Sequence, residues 1–254
     1  MTDTKQHTDP QATDLTTGER LASTGAAVVQ GAAHEASGSH ETLKGKNFRL
    51  TDLETREIID KWPTPQKNIA EQMIEKYGPP NEATPTKLFW YDNHPWKRTK
   101  IDADPVAHNW PTVHSDFLTQ TIDYKVPPEM FHLIALFDGS IICDRTRGEV
   151  SARCDSESAN VLGLNMVHEI VTGKRTYEEA RHVSEQNTVA YNLGRNAPYA
   201  ERLLFDIPNG GTEDLDEGHV AGAVIQQAAG KIKDLVTGSE DEPVERLTGR
   251  GHAG

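Results

Sequence analysis

Residues 140–154, SIICDRTRGEVSARC, carry the clearest β-hairpin pattern in the chain. Apolar and polar residues alternate on either side of a charged turn that contains glycine, which is typical of two antiparallel strands with one buried face. With Arg147 and Gly148 at the turn, Cys143 is expected opposite Ala152. This hairpin predicts an antiparallel sheet within the fold.

Further strand and helix patterns extend outward from the hairpin. Apolar residues recur every three or four positions before the first strand, between the strands and after the hairpin, as in amphipathic helices. Thr176 and Glu179 have the spacing of a capping box, which predicts a helix start. Helices grouped between and after antiparallel strands favour an α+β domain. The expected small antiparallel sheet has strands near 86–91, 120–126, 140–146 and 149–154.

The distribution of aromatic residues separates one core from two polar flanks. Every Trp, Tyr and Phe of the 254 residues lies between Phe48 and Phe205. Flanks without aromatic side chains bury too little apolar surface to offset a backbone ordering cost of about 1–2 kcal/mol per residue. In composition they resemble hydrophilin-like, late-embryogenesis-type stress segments, which implies a stress-associated role. The expected organisation is a disordered tail over 1–47 with a weak helical stretch at 19–35, one α+β core over 48–208, and an acidic tail over 209–254 with an amphipathic helix near 217–237.

Charge, hydropathy and cysteine content exclude several protein classes. A net charge of −13 repels phosphate backbones, so no nucleic-acid partner is expected. No apolar run approaches the roughly 20 residues of a membrane span, and the polar N-terminus is not a secretory signal. Cys143 and Cys154 are too few for a disulfide framework and are expected to be reduced. These features predict a cytoplasmic protein.

Residues 92–116 concentrate the side chains capable of metal chemistry and are interpreted as one long loop. His94, His108, His114 and Asp116 supply the nitrogen and oxygen ligands that zinc, manganese or iron accept. Their spacing matches no short chelating motif, so histidines that make ordinary surface hydrogen bonds are the competing interpretation.

The charged hairpin offers a different kind of site. Arg145 and Arg153 are candidates for gripping a carboxylate or phosphate group through their guanidinium groups. Neighbouring acids make an ordinary solvated hairpin end the competing interpretation. A nucleophilic cysteine would need a nearby cation, and the strand pattern places none beside either thiol except Arg145 at the turn end.

The absence of catalytic motifs favours a non-catalytic protein over an enzyme. No GxGxxG, GxxxxGK[ST] or GxSxG sequence occurs, and no cofactor is expected. The leading hypothesis is an accessory or interaction protein that binds a protein partner or itself through exposed Trp96, Trp110 and Phe117. One alternative is a metal-dependent enzyme that activates water on the 92–116 loop. The other is a binder of a small anionic ligand.

Overall fold

A computed structural model describes residues 15–37 and 44–217. Of these, residues 44–216 belong to one compact unit, and residues 15–37 and 217 lie outside it. Apart from residue 217, the helix expected near 217–237 lies outside the described residues. Within those residues, no helix combines the length and apolar character that crossing a bilayer requires.

The described part of the N-terminal flank is a helix, α1 (Thr17–Ser37). The sequence pattern predicts only a weak helical stretch at 19–35 within a disordered tail. Two local features account for the helix. Its sequence is rich in alanine, the best helix former, and Thr16 and Glu19 form reciprocal hydrogen bonds at its start.

The compact unit has the α+β fold that the sequence predicts. Short 3-10 turns occur at Lys44–Asn47 and Pro128–Met130. The helices are α2 (Asp52–Ile59), α3 (Thr64–Tyr77), α4 (Phe131–Phe137), α5 (Glu157–Val171), α6 (Tyr177–Asn192) and α7 (Pro198–Glu201). The strands are β1 (Glu82–Thr84), β2 (Lys87–Asn93), β3 (Trp96–His108), β4 (His114–Asp123), β5 (Ile141–Asp144) and β6 (Glu149–Cys154). They form one antiparallel sheet in the order β1-β2-β3-β4-β6-β5.

Strand register aligns the apolar side chains that the helices cover. Leu88 lies opposite Ile101, which lies opposite Leu118, and all three are fully buried with side chains of α2 and α3. Ile122 lies opposite Val150, in a second cluster that contains side chains of α4, α5, α6 and α7. Strand β4 contributes to both clusters, with Leu118 in the first and Ile122 in the second.

The interpretation of residues 92–116 as a loop is wrong. Most of this segment forms β3 and β4, and only residues 109–113 connect them. Alternating inward residues Thr99, Ile101 and Ala103 give β3 its buried face, but Pro105 and the neighbouring aspartates obscure the pattern in the sequence. The strands continue past a register shift between Ile101 and Val106.

The hairpin exists, but its predicted register is wrong by two residues. Cys143 lies opposite Val150 rather than Ala152. The turn takes four residues, 145–148, instead of two, and Gly148 adopts a left-handed φ of 63°. Backbone packing favours this turn because the Thr212 carbonyl group lies against the Gly148 α-carbon.

Substituting alanine for Gly148 is expected to lower the free energy of unfolding by more than about 2 kcal/mol. A β-carbon there would lie 2.2 Å from the Thr212 carbonyl oxygen, and the alanine would also have to adopt a left-handed backbone. Gly194 is the matched control because its φ is 64° and no heavy atom lies within 4 Å of the position that a β-carbon would take there. Urea unfolding of Gly148→Ala and Gly194→Ala measures the difference, and equal losses would contradict the packing contribution.

Candidate metal centre

The β3–β4 hairpin brings together three of the residues singled out from sequence. His108 and His114 are paired directly across the two strands, and Asp116 follows two positions along β4. Cross-strand neighbours lie close enough for their side chains to interact. His108 and His114 are six residues apart, a spacing that matches no helical or loop motif. The β-hairpin explains how they can still lie side by side.

The ligand atoms of these residues, which we call the His108/His114/Asp116 cluster, converge. All three lie within 4.8 Å of one another. His114 Nε2 is 3.0 Å from Asp116 Oδ1, and His108 Nδ1 is 3.4 Å from Asp116 Oδ2. The Asp116 side chain is fully buried, whereas those of His108 and His114 are 20% and 11% exposed. The cluster therefore lies just beneath the surface.

Outer contacts orient both imidazole rings. His114 Nδ1 lies 2.8 Å from the Thr112 carbonyl oxygen, which only accepts hydrogen bonds, so this nitrogen carries the proton. The other ring nitrogen, Nε2, lies beside Asp116. His108 Nε2 faces the carboxylate of Asp138 at 3.8 Å. Such outer acceptors fix the tautomer of metal-binding histidines and expose the other nitrogen.

Asp116 is only partly satisfied by its surroundings. Ser140 Oγ donates a hydrogen bond to Oδ2, and Arg153 Nε lies 3.7 Å from the same oxygen. Among the described residues, Asp116 Oδ1, His108 Nδ1 and Arg153 Nε have no hydrogen-bond partner although they are buried. Leaving such a group unsatisfied costs about 1–3 kcal/mol, and more when it is charged. The unsatisfied oxygen of Asp116 and nitrogen of His108 both belong to the cluster, which is the arrangement that a cation would complete.

A thiol and a second carboxylate border the cluster. Cys154 Sγ lies 3.3 Å from His114 Nε2. Burial raises the pKa of Cys154 well above its usual range, and the Asp155 carboxylate adds to this effect. Burial likewise raises the pKa of Asp138. A nucleophilic cysteine requires the opposite shift, so the Cys154–His114 pair is poorly suited to attack on a substrate.

Helix α6 holds the connection between the two histidines in place. The Arg181 guanidinium lies 4.1 Å from the centre of the Trp110 ring, and Arg181 Nη1 donates to the Phe137 carbonyl at 2.7 Å. Trp110 Nε1 donates to Glu185 at 3.1 Å. Phe137 immediately precedes Asp138, so one arginine links the histidine hairpin to the carboxylate that faces His108.

The other polar residues predicted from sequence lie apart from one another, and only Arg153 borders the cluster. His94 is exposed in the turn between β2 and β3. Arg145 forms ion pairs with Asp214 and Asp216 at the hairpin tip. Arg153 faces Asp116 at the opposite end of β6. The two arginines therefore do not converge on one anion site, and each already faces a carboxylate.

The three aromatic residues predicted as an exposed surface lie in different environments. Trp96 and Phe117 are only 1% and 3% exposed. The expectation that they project from a loop is wrong because they belong to strands and pack into the two cores. Trp110 is half-buried beneath Arg181.

A groove of about 1340 Å³ lies next to the cluster. Its walls include one face of α3, the first turn of α5 and the end of α6; His114 and Cys154 also line it. Glu157, at the start of α5, accepts hydrogen bonds from Trp96 Nε1 at 2.6 Å and Gln120 Nε2 at 3.0 Å. Tyr77 and Lys76 also donate to this carboxylate. The groove thus borders both the cluster and a satisfied carboxylate.

Comparison of the chain with protein-family models, curated proteins and solved structures found no significant match.

The residues that surround the cluster were not predicted from the sequence. Asp138, Ser140 and Cys154 come from segments 24 to 40 positions away from their partners in the cluster. No local spacing signals such contacts. The alternation of inward and outward residues in β3 was the one sequence signal for this site. A strand predicted there would have placed His108 and His114 on a hairpin.

Proposed function

We propose that the protein binds one divalent transition-metal ion between His108, His114 and Asp116. The observation that carries the proposal is the convergence of the three ligand atoms within 4.8 Å of one another, with Asp116 Oδ1 3.0 Å from His114 Nε2. Asp116 Oδ1 also lacks a hydrogen-bond partner among the described residues, which supports the same conclusion.

The types of ligand atom favour an ion of the zinc class. Tetrahedral zinc with bonds of about 2.0–2.1 Å to nitrogen and oxygen places its ligand atoms about 3.3 Å apart. In the cluster, the two histidine nitrogens lie 3.0 Å from Asp116 Oδ1 and 3.4 Å from Asp116 Oδ2, and one ligand atom from each residue lies within 4.8 Å of the others. Two imidazoles and one carboxylate suit zinc, iron or cobalt better than magnesium or calcium, which prefer all-oxygen sites.

A second candidate function is metal-dependent water activation. The groove beside His114 favours it, because a substrate in the groove would lie near the ion. Three protein ligands and one water are the usual arrangement of a catalytic zinc site, and the ion lowers the pKa of that water. Metal binding is also compatible with the accessory role expected from the sequence, for which the ion would stabilise the fold.

Full-length protein purified without chelators or metal affinity resin is expected to retain or take up one zinc ion per chain. Native mass spectrometry with elemental analysis measures the stoichiometry, and calorimetric titration measures the Kd. At a zinc concentration of about 100 times the Kd, the ion should add about 2.7 kcal/mol to the free energy of unfolding. His114→Ala should weaken binding by more than about 100-fold, beyond the 10–100-fold typical of outer-shell changes.

Two comparisons keep this test independent of folding. Asp116→Asn retains the shape of the side chain but removes its charge, and it should also lose the ion while circular dichroism remains unchanged. His94→Ala is the matched control because His94 is exposed outside the cluster. Absence of zinc binding by the folded wild-type protein, or equal binding by wild type and both cluster variants, would overturn the proposal.

A further inference from the structure

Cys154 lies beside the cluster and is not one of its three ligands, although a cysteine sulfur can also bind a metal ion. Its Sγ lies 3.3 Å from His114 Nε2, the nitrogen assigned to the ion. In a tetrahedral site with a Zn–S bond of about 2.3 Å and a Zn–N bond of about 2.0–2.1 Å, sulfur and nitrogen lie about 3.5 Å apart. The observed distance is close to this edge length.

The position of Cys154 is fixed by the fold. Cys154 is the last residue of β6 and lies opposite Leu118 on β4, two residues beyond Asp116. Adjacent strands therefore hold the sulfur and the Asp116 carboxylate on neighbouring parts of the sheet. The unsatisfied and fully buried Asp116 Oδ1 provides independent evidence for a ligand at this place.

We propose that Cys154 binds the ion as its fourth protein ligand, through the sulfur. This inference rests on the proposed metal site and specifies its chemistry. On binding, the S–H bond breaks, a sulfur–metal bond forms and the proton leaves to solvent. The metal keeps its oxidation state, so no oxidant or reductant is required.

A thiolate ligand has two consequences for function. It makes the site selective for thiophilic ions such as zinc or cobalt over manganese or magnesium. It also completes a four-ligand shell of the kind found in structural zinc sites, which leaves no position for an activated water. The ion then ties the β3–β4 hairpin to the end of β6, and water activation is excluded while Cys154 remains bound.

Cobalt(II) is the probe that reports sulfur ligation directly. Full-length metal-free protein titrated with cobalt chloride should develop visible bands of tetrahedral cobalt together with a near-ultraviolet thiolate-to-cobalt charge-transfer band. Cys154→Ser should abolish the charge-transfer band and raise the zinc Kd by more than about 100-fold, beyond the 10–100-fold typical of outer-shell changes. Cys143→Ser is the matched control, since Cys143 is the other free thiol and lies on β5.

The outcomes separate this inference from the proposed function. If wild-type protein binds neither cobalt nor zinc, the metal site itself is wrong. If it binds cobalt without a charge-transfer band, or if Cys154→Ser keeps that band, the metal site stands and the thiolate ligand is wrong. A band that disappears in Cys154→Ser and persists in Cys143→Ser supports the inference.

Discussion

Glu157→Ala is expected to lower the free energy of unfolding by about 2–4 kcal/mol. The carboxylate accepts hydrogen bonds from Trp96 Nε1 and from Gln120 Nε2, whose side chains are almost fully buried. Alanine would leave the Gln120 N–H without this acceptor and the Trp96 N–H with only Tyr77 Oη at 3.1 Å, and an unsatisfied buried donor costs about 1–3 kcal/mol. Lys76 is mostly exposed and regains hydration, so its ion pair contributes little. Urea unfolding at neutral pH measures the loss.

The same carboxylate gives the protein a specific acid sensitivity. Burial alone would raise the pKa of Glu157, but hydrogen bonds from its partners outweigh this effect and lower its pKa below 4.5. A carboxylate whose pKa falls on folding stabilises the protein above its unfolded pKa, and this contribution disappears as the pH drops through the folded pKa. Glu157→Gln should therefore flatten the pH dependence of stability below about pH 5.

Glu75 provides the control for both effects. It lies exposed on α3, so Glu75→Ala removes one carboxylate without touching the buried donors. Its change in unfolding free energy should remain within about 0.5 kcal/mol. If Glu157→Ala costs no more than Glu75→Ala, the carboxylate does not satisfy the buried indole and amide groups.

Trp96→Ala is expected to be the more destabilising of two tryptophan substitutions, at about 3–5 kcal/mol. Trp96 is 1% exposed, packs in the core beneath the helices and donates its indole N–H to Glu157. Its removal leaves a cavity and takes one hydrogen-bond donor from the buried carboxylate. Thermal unfolding should show a large decrease in Tm. A change in association measured with this variant would therefore have to be separated from its loss of stability.

Trp110→Ala provides the comparison for this test. Trp110 is half-buried under Arg181, and its loss should cost about 1–2 kcal/mol through the cation–π contact and partial burial. Because Trp110 also lies in the connection between the two histidines, a selective loss of zinc affinity would indicate that it positions the cluster. Equal destabilisation by the two substitutions would contradict the assignment of Trp96 to the core and Trp110 to its edge.

Local patterns were sufficient for the general architecture. Alternation and helical spacing predicted an α+β fold, and the structure confirms it. The Thr176–Glu179 capping box is present at the start of α6, because a cap depends on residues three positions apart. Alternation, helical spacing and caps depend on residues close together in the chain, so they can be predicted from the sequence.

The register of the β5–β6 hairpin and the assignment of strand β3 could not be predicted from local patterns. Arg147 and Gly148 fit a two-residue turn as well as the observed four-residue turn, and the contact with Thr212 decides between them. Strand β3 combines Pro105 with several charged residues, and its burial is apparent only after it pairs with β2 and β4. Register and strand assignment therefore depended on partners far along the chain.

The sequence by itself determined the fold class, the helix cap and the identity of three residues in the cluster, His108, His114 and Asp116. Tertiary structure decided that they converge, that His94 lies elsewhere, and that Cys154 lies beside them. It also placed Trp96 in the core. The physical reason is that side-chain chemistry and local hydrogen bonds depend on residue identity and on near neighbours in the chain. Distances between ligand atoms depend instead on strand pairing and on the packing of the whole sheet.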